Sequence, residues 1–423
     1  MEDRQLLGAM FAAAVKAADP VTGLRAHLPD PPADGRTVVI GTGKGAAQMA
    51  AALEAIWSEM HPDSPLSGVV VTRYGYGCPT NFIEILEAAH PVPDKAGLDA
   101  AARLIRTVSG LSEKDLLIAL ISGGGSALLP APPRDLTLSD EIALNEILLA
   151  SGAPISAMNV VRKHLSTIKG GRLAAATRAR VVSMIVSDIP GDNPAFVASG
   201  PTIPDATTRH DALDIVQQYR LPLTETMMRH LRSPDADAPN PGDPHFARNE
   251  YHVIASAGVS LEAAADVARM HGVTPHILSD AIEGEAREVA LMHSALAREV
   301  ALRNRPFERP AVLLSGGETT VTLRNKSGKG GRNGEFALAL ALAIDGQGIT
   351  ALAADTDGID GSENNAGAYV DGSSARRLRA VGFDGRAILD SNNSFEAFSL
   401  LRDLFNTGPT GTNVNDFRAI LIR

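Results

Sequence analysis

The sequence contains a single cysteine, Cys78, among 423 residues. One cysteine excludes an intrachain disulfide and any metal site built from several thiolates, and it fits a reducing compartment. Aromatic residues make up only 4% of the chain, whereas glycine is abundant at 39 residues. This composition favours helices layered on a sheet, connected by many glycine turns, over an aromatic-rich β-sandwich.

Long apolar runs and an excess of positive charge are also missing. No segment approaches the roughly 20 apolar residues of a membrane span. The first ten residues carry acids where a secretory signal would carry positive charge, so we expect a cytoplasmic protein without a membrane partner. The formal net charge of −10 argues against nucleic acid as a partner, and an anionic ligand therefore needs a local cluster of cations.

Short apolar segments alternate with helical patterns in two series, which predicts an α/β fold with a mostly parallel sheet. The apolar segments are residues 37–40, 67–71, 115–122 and 180–188, then 251–256, 274–280, 309–318, 348–358 and 417–423. A Pro-, Asp- and Asn-rich stretch at 232–249 separates the two series. We therefore predict two domains, at 1–240 and 241–423, the first of which opens with an amphipathic helix at 4–18.

A glycine turn follows the first predicted strand, where Gly41, Gly43 and Gly45 surround Lys44 before an Ala-rich helix. Glycines let the backbone approach an anion, the helix N-terminus adds a partial positive charge and lysine adds a full one. This turn therefore predicts phosphate binding, with a tight structural turn as the alternative. It also matches part of a dinucleotide fingerprint, but the next strand ends at Arg73 instead of an acid, which disfavours NAD and leaves NADP open.

Serine and glycine recur after two predicted strands. The first segment offers consecutive amide donors and hydroxyls, which suit the phosphates of a nucleotide. Its pattern returns in the second half of the chain, so we predict similar anion-binding turns in both halves, with coincidence as the alternative. The predicted cofactor-binding residues are Ser122, Gly123, Gly124, Gly125 and Ser126, then Ser315, Gly316, Gly317 and Glu318.

Basic residues cluster in two segments of this acidic chain. Residues 159–175 include Lys163, and the glycine-rich residues 327–334 carry Arg332 before an apolar helix. Arginine can bind a carboxylate or phosphate through two parallel hydrogen bonds. We predict anion contacts at both residues. The alternatives are a solvated basic face for residues 159–175 and a disordered surface loop for the segment with Arg332.

Acidic residues follow predicted strands at two places. Asp188 and Asp192 follow one strand, and Asp355 and Asp357 follow another. Carboxylates at the carboxyl edge of a parallel sheet lie where ligands bind, and they can hold Mg²⁺ or accept a proton. We predict a catalytic role for Asp188 and magnesium binding by the other three, with turn and cap residues as the alternative.

Seven segments, taken in order, resemble the type II glycerate kinases, whose C-terminal portion is called the MOFRL domain. The segments are GTGKGAAQMA, ISGGGSALLPAP, NVVRKHLSTIKGGRLA, SDIPGDNPAFVASGPT, LLSGGETTVT, GKGGRNGEFALALA and AADTDGIDGSENNAGAYVDG. The resemblance implies a Rossmann-like domain with helices on both faces of its sheet, a smaller α/β domain with the MOFRL region at about 310–420, and an active-site cleft between them.

The same resemblance implies ATP-dependent phosphorylation of (R)-glycerate to 2-phosphoglycerate with Mg²⁺. The family's essential lysine and arginine fall on Lys44 and Arg332, which would neutralise the transferring phosphoryl group. The turn at 122–126 would hold ATP phosphates, and Asp188 or Asp192 would orient or deprotonate the glycerate hydroxyl. An NAD(P)H-dependent hydroxypyruvate reductase is the main alternative, and a non-catalytic ligand sensor is a third. The sequence leaves the oligomeric state open, with a homodimer among the possibilities.

Overall fold

The computed structural model describes residues 2–325, 328–410 and 412–423. The chain forms two compact units: an N-terminal unit of residues 20–254, and a C-terminal unit of residues 1–19 and 255–423. Up to residue 255, the elements are α1 (Asp3–Ala17), α2 (Pro20–His27), β1 (Thr37–Thr42), α3 (Ala46–Met60), β2 (Leu66–Arg73), β3 (Ile83–Ala88), α4 (Lys95–Ser109), β4 (Leu116–Ser122), α5 (Gly125–Leu128), α6 (Leu138–Ala150), α7 (Ile155–His164), α8 (Arg172–Ala175), β5 (Arg180–Val186), α9 (Arg209–Gln218), α10 (Glu225–Arg232) and β6 (Glu250–Ala255).

The remaining elements complete the C-terminal unit. They are α11 (Ala257–Met270), β7 (Thr274–Glu285), α12 (Ala286–Arg303), β8 (Ala311–Thr320), α13 (Arg332–Ala343), β9 (Ile349–Asp355), β10 (Gly367–Asp371), α14 (Ser374–Ala380), α15 (Gly385–Asp390), α16 (Ser394–Leu401), β11 (Leu404–Phe405) and β12 (Asp416–Ile422). Within the residues that the structure describes, no helix combines the length and the apolar character needed to cross a membrane.

A six-stranded sheet forms the centre of the N-terminal unit. Its order is β3-β2-β1-β4-β5-β6, and the pairings β3–β2, β2–β1, β1–β4 and β4–β5 are parallel. This is the strand order of the Rossmann fold, in which the direction of strand addition reverses between β1 and β4. Ligands of such sheets bind outside the carboxyl ends of the strands at that reversal.

Helices cover both faces of this sheet. Val38 and Ile40 of β1 belong to an apolar cluster that includes α4, whereas Val39 belongs to a second cluster that includes α3. Because successive side chains of a strand point to opposite faces, the two clusters lie on opposite sides of the sheet. The predicted α/β class, with a parallel sheet covered by helices on both faces, is confirmed.

The C-terminal unit is smaller and has a mixed sheet of order β11-β10-β9-β12-β8-β7. Strands β7 and β8 are parallel, and the other pairings are antiparallel. Val312 and Leu314 pack with α1 and α11, while Leu313 packs with α12 and α13. Alternation along β8 therefore builds two cores, one on each face of the sheet.

The two units differ from the predicted division at residue 240. Helix α1 buries Leu7 and Phe11 in the core that contains α11, so it belongs to the C-terminal unit. Strand β6, predicted to open the second series, extends the first sheet beside β5, where the Asn249 side chain accepts the Val181 N–H. Proximity in sequence does not decide which core an apolar face joins.

Replacing Phe11 with alanine tests the placement of α1. Its ring lies edge-on to Phe405 and Phe417, with centroids 5.0 and 5.6 Å away. We expect Phe11→Ala to lower the free energy of unfolding by about 3–5 kcal/mol, because it leaves a cavity in this core. Urea unfolding measures the change. The control Leu302→Ala, at a side chain that is 64% exposed, should change stability by less than about 0.5 kcal/mol. Equal small effects would contradict the burial of α1.

Candidate active site

Two glycine turns meet at the carboxyl ends of β1 and β4. The Lys44 N–H donates to the carbonyl oxygen of Gly123 at 2.9 Å, and the Gly45 N–H donates to Ser122 Oγ at 3.1 Å. Gly43 has φ +131°, and a Cβ there would lie 2.1 Å from Ser122 Oγ. Only glycine permits this approach, so the structure brings the first two predicted phosphate-binding segments together.

Lys44 lies along the second of these turns. A Cβ on Gly124 would lie 3.0 Å from Lys44 Cγ and 3.0 Å from His90 Nε2. Burial, with the charges of Lys44 and Arg73, lowers the pKa of His90. No carboxylate in the described ranges forms an ion pair with Lys44, so its charge is available to an anionic ligand.

Asp188 lies against the same turn. A Cβ on Gly123 would lie 1.7 Å from Asp188 Oδ2, so the missing side chain makes room for the carboxylate. Asp192 ends a short 3₁₀ turn with φ +50° and is partly exposed. The first of the two predicted acids is thus placed beside the glycine turns.

Other predicted residues of this unit pack within the protein. Gly41 lies inside β1, where a Cβ would be 2.8 Å from the carbonyl oxygen of Leu120, and a Cβ on Gly125 would be 2.8 Å from Thr42 Cγ2. The Ser126 hydroxyl hydrogen-bonds that of Ser199 at 2.9 Å. Gly41, Gly125 and Ser126 therefore support the turns through contacts within the protein.

Lys163 differs from its predicted role as an anion contact. Its side chain is buried at the end of α7, where the ammonium pairs with the Asp205 carboxylate. Burial lowers the pKa of Lys163 although the pairing opposes the shift. The structure therefore gives this lysine an internal counter-ion, which the spacing of basic residues did not indicate.

In the C-terminal unit, three carboxylates surround Arg332 at the start of α13. Its Nη1 lies 3.0 Å from Glu318 Oε1, its Nη2 lies 2.9 Å from Asp355 Oδ2, and its Nε lies 2.6 Å from Asp416 Oδ1. Burial alone would lower the pKa of Arg332, but the three acids outweigh it and raise the pKa. The predicted residues Arg332, Glu318 and Asp355 are thus direct neighbours.

Asp416 connects Arg332 to a buried support. Its second oxygen accepts hydrogen bonds from the Thr319 N–H at 3.0 Å and from Arg418, whose side chain is fully buried. Asn333 Nδ2 donates to Asp416 Oδ1 at 2.9 Å. A carboxylate held from both sides cannot easily rotate, so Asp416 fixes the guanidinium of Arg332.

Asp355 and Asp357, two of the predicted magnesium ligands, lie in one turn. The Asp357 N–H donates to Asp355 Oδ1 at 3.1 Å, and Asp357 Oδ1 accepts the Ile359 N–H at 2.8 Å. Burial raises the pKa of Asp355, which Arg332 opposes. No group of three or more His, Cys, Asp or Glu side chains in residues 2–325, 328–410 and 412–423 is arranged to hold a metal ion.

The predicted glycine turn at 315–318 is not a turn in the structure. Strand β8 continues to Thr320, and Ser315 is buried with its hydroxyl 3.0 Å from His293 Nε2. A Cβ on Gly317 would lie 2.2 Å from the carbonyl oxygen of Ile282, so the glycines serve an irregular crossing with β7. Residues 315–318 therefore resemble residues 122–126 in sequence but not in conformation.

Sequence reasoning missed Asp416 and His90. Asp416 is the first residue of β12 and lies just before the apolar segment 417–423, whereas the predicted acids follow strands. Because β12 is antiparallel to β9, Asp416 pairs with Asp355 and lies at the edge where β9 ends. His90 follows β3, a strand that the apolar pattern did not predict.

Glycine turns with an available lysine at the reversal point of a Rossmann-ordered sheet define a class of α/β proteins that bind phosphorylated ligands. Residues 6–232 match the family described as "Domain of unknown function (DUF4147)", and residues 311–416 match the "MOFRL family".

Three similar proteins identify the family within this class. A protein of Agrobacterium vitis named "Putative hydroxypyruvate reductase" is 50% identical over 99% of this chain and 94% of its own length. "Glycerate 2-kinase" of Pyrococcus horikoshii is 40% identical over 90% of this chain and 86% of its own. The crystal structure of a glycerate kinase from Thermotoga maritima has a TM-score of 0.86 at 36% identity and covers 99% of both chains. The chain therefore belongs to the type II glycerate kinase family.

Removing the Asp416 side chain tests the buried support of Arg332. We expect Asp416→Ala to lower the free energy of unfolding by about 3–5 kcal/mol, because Arg418 then keeps a buried charge without its counter-ion. Guanidinium chloride unfolding measures this change. The control Asp345→Ala removes a partner of Arg379, a side chain that is 59% exposed, and should cost under about 1 kcal/mol. Similar losses in both variants would show that Asp416 is not a buried support.

Burial of His293 should make the stability of the protein depend on pH. Burial, aided by Arg418, lowers the pKa of His293 from 6.5 to about 4. Between pH 6.5 and pH 4 the unfolded chain binds a proton at His293 that the folded chain does not bind. The free energy of unfolding therefore falls as the pH is lowered through this range, by about 3 kcal/mol in all. We expect His293→Gln to remove this pH-dependent part of the stability.

Urea unfolding of both proteins from pH 7 to pH 4 measures the difference. The advantage of the wild type over His293→Gln should shrink toward pH 4. A constant difference across this range would contradict the neutral, buried state of the imidazole.

Proposed function

We propose that this protein is a glycerate kinase, which transfers the γ-phosphoryl group of ATP to (R)-glycerate and forms 2-phosphoglycerate. The observation that carries the proposal is the available Lys44 on paired glycine turns, in a chain of the family that contains the glycerate 2-kinases of Pyrococcus horikoshii and Thermotoga maritima. Phosphoryl transfer asks a protein mainly to align two anions and to neutralise developing charge.

The N-terminal unit supplies the groups that bind phosphate. Backbone amides of the turn at 123–125 suit phosphate oxygens, whereas the amides of residues 43–45 already donate within the protein. The start of α3 adds a partial positive charge. Lys44 would stabilise the charge on the transferring group. Asp188, beside Gly123, would orient the substrate hydroxyl and accept its proton.

Magnesium fits these residues as a companion of the nucleotide. Mg²⁺ in kinases is bound by one or two carboxylates together with substrate phosphates, so a preformed group of three protein ligands is not required. Asp192, a partly exposed carboxylate in the loop that begins at Asp188, is the hard oxygen donor proposed for the ion. The ion would neutralise phosphate charge there.

Arg332 would stabilise the same transferring group. Asp416 holds its Nε, while Nη1 contacts Glu318, which is 60% exposed. The carboxylate of this pair is exposed to solvent, so Nη1 can exchange Glu318 for a phosphate while Nη2 keeps Asp355 and Nε keeps Asp416. That Lys44 and Arg332 serve one reaction remains a prediction, as do a cytoplasmic location and the possibility of a homodimer.

A hydroxypyruvate reductase is the second candidate, because the relatives from Agrobacterium vitis carry that name. The geometry offers it less support. Strand β2 ends at Arg73, where an NAD-binding sheet would present an acid to the ribose. ADP formation from ATP and glycerate supports the kinase, whereas hydroxypyruvate-dependent loss of NAD(P)H absorbance supports the reductase.

Alanine variants of the two cations test the mechanism. We expect Lys44→Ala and Arg332→Ala each to lower kcat/KM for glycerate phosphorylation by at least about 100-fold, because each removes stabilisation of transition-state charge. A coupled ADP assay measures the rates, and thermal unfolding monitors folding.

Matched controls lie on exposed helices of the same units. Lys95→Ala breaks an exposed pair with Asp99, and Arg379→Ala breaks one with Asp345. Both controls should keep wild-type turnover. Wild-type turnover in Lys44→Ala and Arg332→Ala as well would refute the assigned roles.

A further inference from the structure

Arg73 is a cation at the ligand-binding edge of the first sheet that lacks a carboxylate partner. It is the last residue of β2, and its guanidinium carbon lies 3.5 Å from the centroid of the Tyr76 ring. Its Nε is buried without a hydrogen-bond partner, and it forms no ion pair in the part of the chain that the structure covers. Because Arg73 is only partly buried, an anion from solvent can supply the counter-charge that the described residues do not.

Arg73 is level with Lys44 across the sheet. Thr42 of β1 pairs with Val71 of β2, and each cation stands two residues beyond its member of this pair. The Thr72 hydroxyl donates to the carbonyl oxygen of Lys44 at 3.2 Å, which holds the two strand ends together. The side chains of Lys44, in the turn after β1, and Arg73, at the end of β2, therefore start close together at the same edge of the sheet.

His90 completes the surroundings from the next strand along. Arg73 pairs with Ala88 of β3, and His90 follows two residues later. Its imidazole lies beside Gly124, and burial, with the charges of Lys44 and Arg73, lowers its pKa. An anion at this edge therefore meets the two cations Lys44 and Arg73 together with a polar imidazole.

We propose that Arg73 binds the carboxylate of the glycerate substrate and thereby selects small hydroxy acids over neutral polyols. The inference rests on the proposed kinase activity. Tyr76 covers one face of the guanidinium and leaves its edge for a planar acceptor, a geometry that matches a carboxylate. Lys44 is a point charge, which suits the transferring phosphoryl group.

The spacing of the strands fits the size of the substrate. Neighbouring strands lie about 4.8 Å apart, and in glycerate the carboxylate carbon is bonded directly to the carbon that carries the 2-hydroxyl. One molecule can therefore place its carboxylate at Arg73 and its hydroxyl toward the group held by Lys44. The phosphates of ATP are then left to the glycine turns on the β4 side of Lys44.

Kinetics of Arg73 variants test the assignment. We expect Arg73→Gln to raise KM for glycerate at least about 30-fold, because the charge that pairs with the carboxylate is lost, while KM for ATP stays within about twofold. Arg73→Lys should lie between, since lysine keeps the charge without the planar fork. The preference for glycerate over glycerol, which has a hydroxymethyl group in place of the carboxylate, should shrink by a similar factor in Arg73→Gln.

The control is Arg103→Gln, which breaks an exposed pair with Glu84 of β3 and should leave every constant unchanged. Calorimetric titration of glycerate without nucleotide gives the binding constants independently of turnover. An unchanged KM for glycerate in a folded Arg73→Gln overturns the assignment. An equal rise in both KM values also overturns it and places a phosphate of ATP at Arg73.

A wild-type protein that binds glycerate without phosphorylating it would refute the proposed kinase activity alone. In that case, weaker calorimetric binding by Arg73→Gln still supports the carboxylate contact, and equal binding overturns it.

Discussion

The hydrogen bond from the Lys44 N–H to the carbonyl oxygen of Gly123 closes the carboxyl ends of β1 and β4 against each other. Everything proposed for the N-terminal unit depends on this pairing. Residues 77 positions apart, such as Gly45 and Ser122, meet only because the two strands are parallel neighbours. The side chain of Lys44 then lies against Gly124, and Asp188 lies against Gly123.

The C-terminal unit reaches a comparable result by different means. Its cation, Arg332, is oriented by carboxylates, whereas Lys44 has no carboxylate partner among the described residues. The orienting carboxylate, Asp416, is itself held by Arg418 and Thr319. Buried charged networks of this kind are costly unless every member is satisfied, and when satisfied they define one geometry. Arg332 is thus presented from a rigid base with one contact, Glu318, that solvent can replace.

Arg73 illustrates why a sequence motif can carry two interpretations. In the sequence, Arg73 at the end of β2 occupies the position where a dinucleotide-binding fold has the acid that binds the ribose. The structure adds its stacking on Tyr76, its unpartnered Nε and its position level with Lys44. These contacts favour a small carboxylate ligand over a nucleotide ribose.

Local chemistry is what the sequence by itself determined about this protein. It indicated β1, β2, β4 and β5, the glycine turns after β1 and β4, and the cations Lys44 and Arg332, because glycine content and apolar runs act over a few residues. Tertiary structure alone decided that α1 joins the C-terminal unit, that Ser315–Glu318 continue a strand, that Lys163 is internally paired, and that Asp416 and His90 line the two sites. Those outcomes depend on strand order, strand direction and the burial of apolar faces, which are settled by contacts between residues far apart in the chain.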